Sequence, residues 1–167
     1  MLHQDIDARE KFLFTLEWLL GLQARYPKHM GFGLIHVEFQ DPSHLGETYG
    51  VHEAMKMLVG LTHALRHAFR STDLVARDGM GVWILAPFTS PETVISKASE
   101  IVRVGAENGL NIVEHYIRIY SLPEDGAALQ GRDPASNFLE TLRASGLGRT
   151  VASFAAANQA TAPRSGS

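Results

Sequence analysis

The sequence contains no cysteine. That absence excludes disulfide scaffolds, zinc ribbons and thiol nucleophiles together. Long hydrophobic runs are missing as well. The longest apolar stretch, Phe12 to Leu20, is interrupted by Thr15 and Glu17 and falls far short of the roughly 20 residues a membrane span needs. The opening MLHQDIDARE is polar and acidic, with no apolar core of the kind a signal peptide carries. Nor is there an excess of positive charge. Fifteen Lys and Arg stand against eighteen Asp and Glu, a net charge of −3 over 167 residues, which gives no global electrostatic reason to bind DNA or an anionic membrane. What remains is 45% hydrophobic and 20% charged, the balance of one soluble globular domain. The expectation is a cytoplasmic protein with no DNA partner and no direct insertion into a membrane.

Hydropathy periods divide the chain. From Ala8 to Arg25, Phe12, Leu13, Leu16, Leu19 and Leu20 fall on one helical stripe, and Pro27 ends it. Phe32 to Phe39 is short and rich in β-branched and aromatic residues, as a buried strand requires. Val51 to Phe69 repeats apolar residues at spacings of three and four and predicts a long helix. Two strands follow, Asp73 to Arg77 and Val82 to Ala86, joined by Asp78-Gly79-Met80-Gly81. Asp-Gly between apolar runs is a hairpin signal, because it supplies positive φ at a tight turn. Ser90-Pro91-Glu92 opens a helix that ends at Gly105 or Gly109. Asn111 to Tyr120 alternates as a strand, Asp133-Pro134 starts a helix through Ala144, and Arg149 to Phe154 completes the strands. Residues 1–154 are thus expected to form a single domain, with 155–167 a disordered tail. Helices interleaved with strands and one hairpin predict an α+β sandwich around a mixed, mostly antiparallel sheet.

The residues between Tyr49 and Pro87 carry a resemblance. Thr48-Tyr49-Gly50, a long helix, then Arg70-Ser71-Thr72-Asp73-Leu74-Val75-Ala76-Arg77, a glycine turn and an apolar strand are similar to the GGDEF domain of diguanylate cyclases. Leu122-Pro123-Glu124-Asp125-Gly126 and Leu142-Arg143-Ala144-Ser145-Gly146 resemble two later segments of that family. The resemblance implies a nucleotidyl-cyclase-like sandwich with a ferredoxin-like βαββαβ core flanked by helices. It also implies a chemistry, the condensation of two GTP molecules into cyclic di-GMP, in which carboxylates hold two Mg²⁺ ions against the α-phosphate.

Against that pattern the catalytic parts are missing. The hairpin reads Asp78-Gly79-Met80-Gly81-Val82-Trp83, with no acid where the signature has two. Glu38-Phe39-Gln40 replaces the Asp-x-Asp of the first strand. Gly46 and Met55 stand where guanine is read, and of the phosphate-binding pair only Arg143 remains, with Leu147 at the second position. The resemblance therefore implies a degenerate domain that is not an enzyme. Arg70-Ser71-Thr72-Asp73, however, sits where active members often carry an inhibitory Arg-x-x-Asp site that binds the product. Cyclic di-GMP offers phosphates and guanine Hoogsteen edges to a guanidinium, and guanine N–H groups to a carboxylate. The family site usually adds an Arg from the next helix; here Glu100 aligns with it, flanked by Lys97 and Arg103.

The candidate ligand-binding residues are accordingly Arg70, Asp73, Lys97 and Arg103, with cyclic di-GMP as the regulatory ligand, no cofactor, and a protein partner or second copy receiving the signal. The alternative is a pseudo-enzyme scaffold that binds no nucleotide. A third reading keeps residual turnover through Glu38 and Asp78. Plainer roles stand beside these. An Arg at a helix end complements the dipole unaided. Arg77 suits an ion pair beside the hairpin, His63 and His67 suit solvent, and His36, Trp83, Met55 and Met57 suit the core.

Overall fold

The computed structural model describes residues 2–26, 31–38, 47, 50–79, 81–87, 91–112, 116–122, 125 and 134–151. Among the described residues four helices and five strands follow one another. They are α1 (Leu2–Arg25), β1 (Phe32–Val37), α2 (Val51–Ala68), β2 (Leu74–Asp78), β3 (Gly81–Pro87), α3 (Pro91–Glu107), β4 (Ile117–Leu122), α4 (Ala135–Ala144) and β5 (Arg149–Thr150). The sheet order is β2-β3-β1-β4-β5. All four pairings are antiparallel, so the sheet expected to be mixed is antiparallel among the described residues. The order β1-α2-β2-β3-α3-β4 is the expected βαββαβ core.

The period-2 alternation of the strands sorts their side chains onto two faces. On one face Ile35, Val37, Val75, Val82, Ile84, Ile117 and Ile119 meet Leu58, Leu61 and Leu65 of α2 and Ala98, Ile101 and Val104 of α3. On the other, Phe32, Leu34, Trp83, Leu85, Tyr120 and Leu122 meet Phe12 and Leu16 of α1 and Phe138, Leu139 and Leu142 of α4. β1 lies in the centre, paired with β3 and β4. Near-continuous burial along it is the physical reason that FGLIHV carries so few polar residues.

Several boundaries differ from the pattern reading. α1 runs back to Leu2 rather than starting at Ala8, because extending a formed helix adds one hydrogen bond per residue at low cost. The paired strands reach Asp78 and Gly81, so Asp78 belongs to the ladder and the turn begins at Gly79, whose φ is 59°. β4 begins at Ile117, not Asn111. Ile112 is buried instead against the end of α3, where a Cβ at Gly105 would stand 2.7 Å from its Cδ1. β5 is a two-residue strand where six were expected; Ala152, Ser153 and Phe154, like the tail 155–167, lie outside the described residues, as do Ser90 and Asp133 at the expected helix starts.

Gly148 shows how tightly the sheet edge closes. Its φ is +84°, and a Cβ there would stand 2.7 Å from both the Ile119 carbonyl oxygen and the Tyr120 ring. Gly146 has a similar φ of +72° with open space around it. Gly146→Ala should therefore cost about 1–2 kcal/mol for the left-handed backbone alone, and Gly148→Ala about 1–3 kcal/mol more for overpacking. Urea unfolding of the two variants measures the difference.

Candidate functional site

Helix α2 is capped by Phe69, whose amide donates to the Leu65 carbonyl at 3.0 Å. A tight turn follows, closed by Asp73 N–H donating to the Arg70 carbonyl at 2.9 Å. The Asp73 carboxylate folds back over this turn and accepts the Arg70 backbone N–H at 3.2 Å. It is then covered by α3: Lys97 Nζ lies 2.6 Å from Asp73 Oδ2, with the two side chains 13% and 3% exposed. Lys97 also sits 4.7 Å above the centre of the Phe69 ring, a cation–π contact that helps to hold a largely desolvated ammonium. Arg70 itself is exposed, and its guanidinium has no partner among the described residues.

Of the four residues picked from the sequence, three meet at this corner: Arg70, Asp73 and Lys97. Arg103 does not join them. Six residues of α-helix set it about 120° around the helix from Lys97, and it is held on α3 by Glu100 and Glu107. Its hydrogen bond with Glu100 pushes the Glu100 carboxyl below, and the Arg103 guanidinium above, their ordinary values. Both groups stand in solvent, so the pairing weighs little in stability.

The other end of β2 holds the positions of the missing chemistry. Asp73 stands just before β2 and Asp78 is its last residue, about 16 Å away along the extended chain. Asp78 takes Arg9 of α1 as its ion-pair partner at 3.3 Å, and Arg77 Nη1 donates to the Gly79 carbonyl at 3.1 Å, bracing the turn. Glu38 follows β1, its amide donating to the Tyr116 carbonyl at 2.9 Å. Its Oε1 is 3.2 Å from His36 Nδ1, out of line for a hydrogen bond. Phe39, Gln40, Gly46 and Met80 lie outside the described residues.

His36 is packed, as expected, but in company that the sequence did not announce. Its ring stacks on Trp83 with centroids 4.1 Å apart, and Trp83 meets Tyr120 at 5.9 Å. His36, Trp83 and Arg118 are cross-strand neighbours in the register. Burial, with Arg143 and Arg118 adding positive charge, lowers the His36 pKa to about 3. The Tyr120 hydroxyl is buried and has no hydrogen-bond partner among the described residues. Burial raises its pKa, and Arg118 opposes the rise from nearby without reaching hydrogen-bond geometry. His63 and His67 are exposed on α2, edge to face at 4.7 Å, and Met55 and Met57 pack against the core.

No family model matches this chain, and no curated protein matches it in sequence. Solved structures do. The GGDEF domain of YfiN (TpbB) from Pseudomonas aeruginosa is 21% identical, with a TM-score of 0.56 over 84% of this chain and 92% of that one. A shortened form of the same protein comprising only the GGDEF domain gives 19% and 0.56 over 81% of this chain and 78% of that one. The coiled coil and GGDEF domain of DgcB from Caulobacter crescentus, solved in complex with c-di-GMP, is 13% identical with a TM-score of 0.52, over 91% of this chain and 76% of that one. The fold is that of a GGDEF domain. In that fold the Arg70 corner sits where α2 passes into β2, and the hairpin and Glu38 at the opposite end of the strand. No described helix is long and apolar enough to cross a membrane.

The aromatic stack was illegible because it is made across strands: only the register brings His36, Trp83 and Tyr120 together. It has a measurable consequence. A folded-state pKa near 3 against 6.5 means that the unfolded chain takes up this proton first as pH falls. Stability should drop from pH 6.5 towards 3, with this residue contributing up to about 1.4 kcal/mol per pH unit. Urea unfolding at pH 6.5 and 5 should show a shallower decline in His36→Gln than in the wild type.

Proposed function

We propose that this chain is a catalytically silent GGDEF-fold domain that binds cyclic di-GMP at the Arg70 corner and passes the signal to a partner protein. The observation that carries the reading is the convergence of Arg70, Asp73 and Lys97 at the turn between α2 and β2. Arg70 is the open valence of the group: an exposed, rigidly planar donor fork suited to a phosphate or to guanine O6 and N7. Lys97 supplies the second positive charge, in place of the arginine that Glu100 displaces. Asp73 is covered by Lys97 and the turn, so Lys97 must swing aside before the carboxylate accepts guanine N–H groups. Arg103, expected from the sequence to join the site, is held by Glu100 and Glu107 on another face of α3 and stays outside it.

Catalytic silence rests on the chemistry of the opposite end. Two Mg²⁺ ions need several carboxylates in one place. The hairpin carries only Asp78, which is paired with Arg9, and the first strand offers Glu38 beside a buried His36. With GTP and Mg²⁺ the purified chain should form no cyclic di-GMP; accumulation of product that Glu38→Ala abolishes would restore the enzyme reading.

A second reading draws on one specific observation, the 3% exposure of the Asp73 side chain. A covered carboxylate with its own lysine serves as a structural clamp, and the domain is then a scaffold that binds no nucleotide. Two variants separate the readings. Arg70→Ala removes an exposed side chain and should change stability by no more than about 0.5 kcal/mol. Asp73→Ala strands a buried lysine and should cost about 3–5 kcal/mol. Calorimetric titration of cyclic di-GMP should show saturable binding to the wild type, lost in the well-folded Arg70→Ala. At 100 times the Kd the ligand should add about 2.7 kcal/mol to unfolding. No heat and no thermal shift at high ligand concentration would leave the scaffold reading.

A further inference from the structure

The first helix is apolar on two opposite sides. Phe12 and Leu16 are buried against the sheet, with Gln23 on the same line. Phe14 lies about 160° around the helix from both and is 73% exposed, and Trp18, one turn on, is 58% exposed. A Cβ at Gly21 would meet nothing within 4 Å, so the outward line stays open along its length. Large aromatic side chains standing free on the face of a helix directly away from its own core ask for a covering surface.

The charges on that line identify the cover. Asp7 and Arg25 are both exposed and stand on the same stripe as Phe14, five turns and about 27 Å apart. The midpoint between Asp7 and Arg25 is residue 16, and the midpoint between Phe14 and Trp18 is also residue 16. Lys11 and Gly21 share it. A two-fold axis at that level, crossing an antiparallel copy of the same helix, therefore sets Asp7 against Arg25 at both ends, Phe14 against Trp18 twice in the middle, and the Lys11 stem over the open Gly21. Antiparallel helices also oppose their dipoles favourably, and an isologous contact closes on itself at two copies. Arg9 is not available to disturb this pattern, since it faces the sheet and holds Asp78.

We propose that the outward face of α1 is a self-association surface, on which a second copy of this chain packs its own α1 antiparallel through Phe14 and Trp18, with Asp7–Arg25 pairs at the two ends. The inference is independent of the cyclic di-GMP reading. It rests on a different element and needs no ligand.

Sedimentation equilibrium of the full chain should show monomer passing to dimer with rising concentration, and no larger species. Phe14→Glu and Trp18→Glu should each weaken the dimer about tenfold or more, with unchanged circular dichroism because both side chains are exposed. Asp7→Arg and Arg25→Asp should each weaken it, and the double exchange should restore it. The lack of native cysteine gives the orientation directly: Asp7→Cys/Arg25→Cys should form covalent dimers on oxidation, whereas Asp7→Cys alone should not. A monomer at every concentration, a dimer indifferent to Phe14→Glu and Trp18→Glu, or ready self-crosslinking of the single cysteine would each overturn the proposal.

Discussion

A carboxylate that is almost fully covered needs a cation or several hydrogen bonds beside it. Asp73 meets that need with Lys97 and the backbone of Arg70. This one arrangement ties together three parts of the molecule: the end of α2, the turn that leads into the edge strand β2, and the middle of α3. It leaves Arg70 facing outward on a turn whose shape is held from below. A flexible arginine on a loose loop would lose ordering entropy on binding an anion; one mounted on a braced turn loses less. The same clamp that covers Asp73 is thus what makes the corner a usable platform for a planar donor.

The two ends of β2 have different characters for a physical reason. At its start, a helix end, a tight turn and a lysine converge around one acid. At its finish, Asp78 is drawn to Arg9 and Glu38 lies beside a histidine that burial keeps neutral near physiological pH. The GGDEF fold supports this shape regardless of what the two ends do, since a fold and a site are separate facts. The proposal of a signalling domain without chemistry rests on the particular residues at each end, not on the fold.

Much of the architecture was legible because it rests on local signals. The amphipathic run from Val51, the glycine turn after Asp78 and the Pro91 start all carry their information within a few residues. The start of β4 was not legible, because Asn111 and Ile112 alternate like strand residues while Ile112 spends its burial on Gly105 at the end of α3. β5 was overextended for a similar reason: β propensity records a suitable surface rather than a partner to pair with. At the candidate site, Arg70 and Asp73 were visible as a spaced pair and Lys97 as a neighbour on the following helix. That Asp73 would be covered, and that Arg103 would turn to Glu100 and Glu107 instead, depends on how α3 is rotated over the sheet, which no local pattern encodes.

Ligand recognition is proposed to occur at one corner of the sheet and not at the hairpin. The most direct test is an NMR titration of the isotope-labelled chain with cyclic di-GMP. Saturable shifts are expected to concentrate on the amides of Arg70 to Asp73 and around Lys97, with the amides of Glu38 and Asp78 unmoved. Shifts confined to Glu38, Asp78 and the hairpin, or none at saturating ligand, would contradict that proposal.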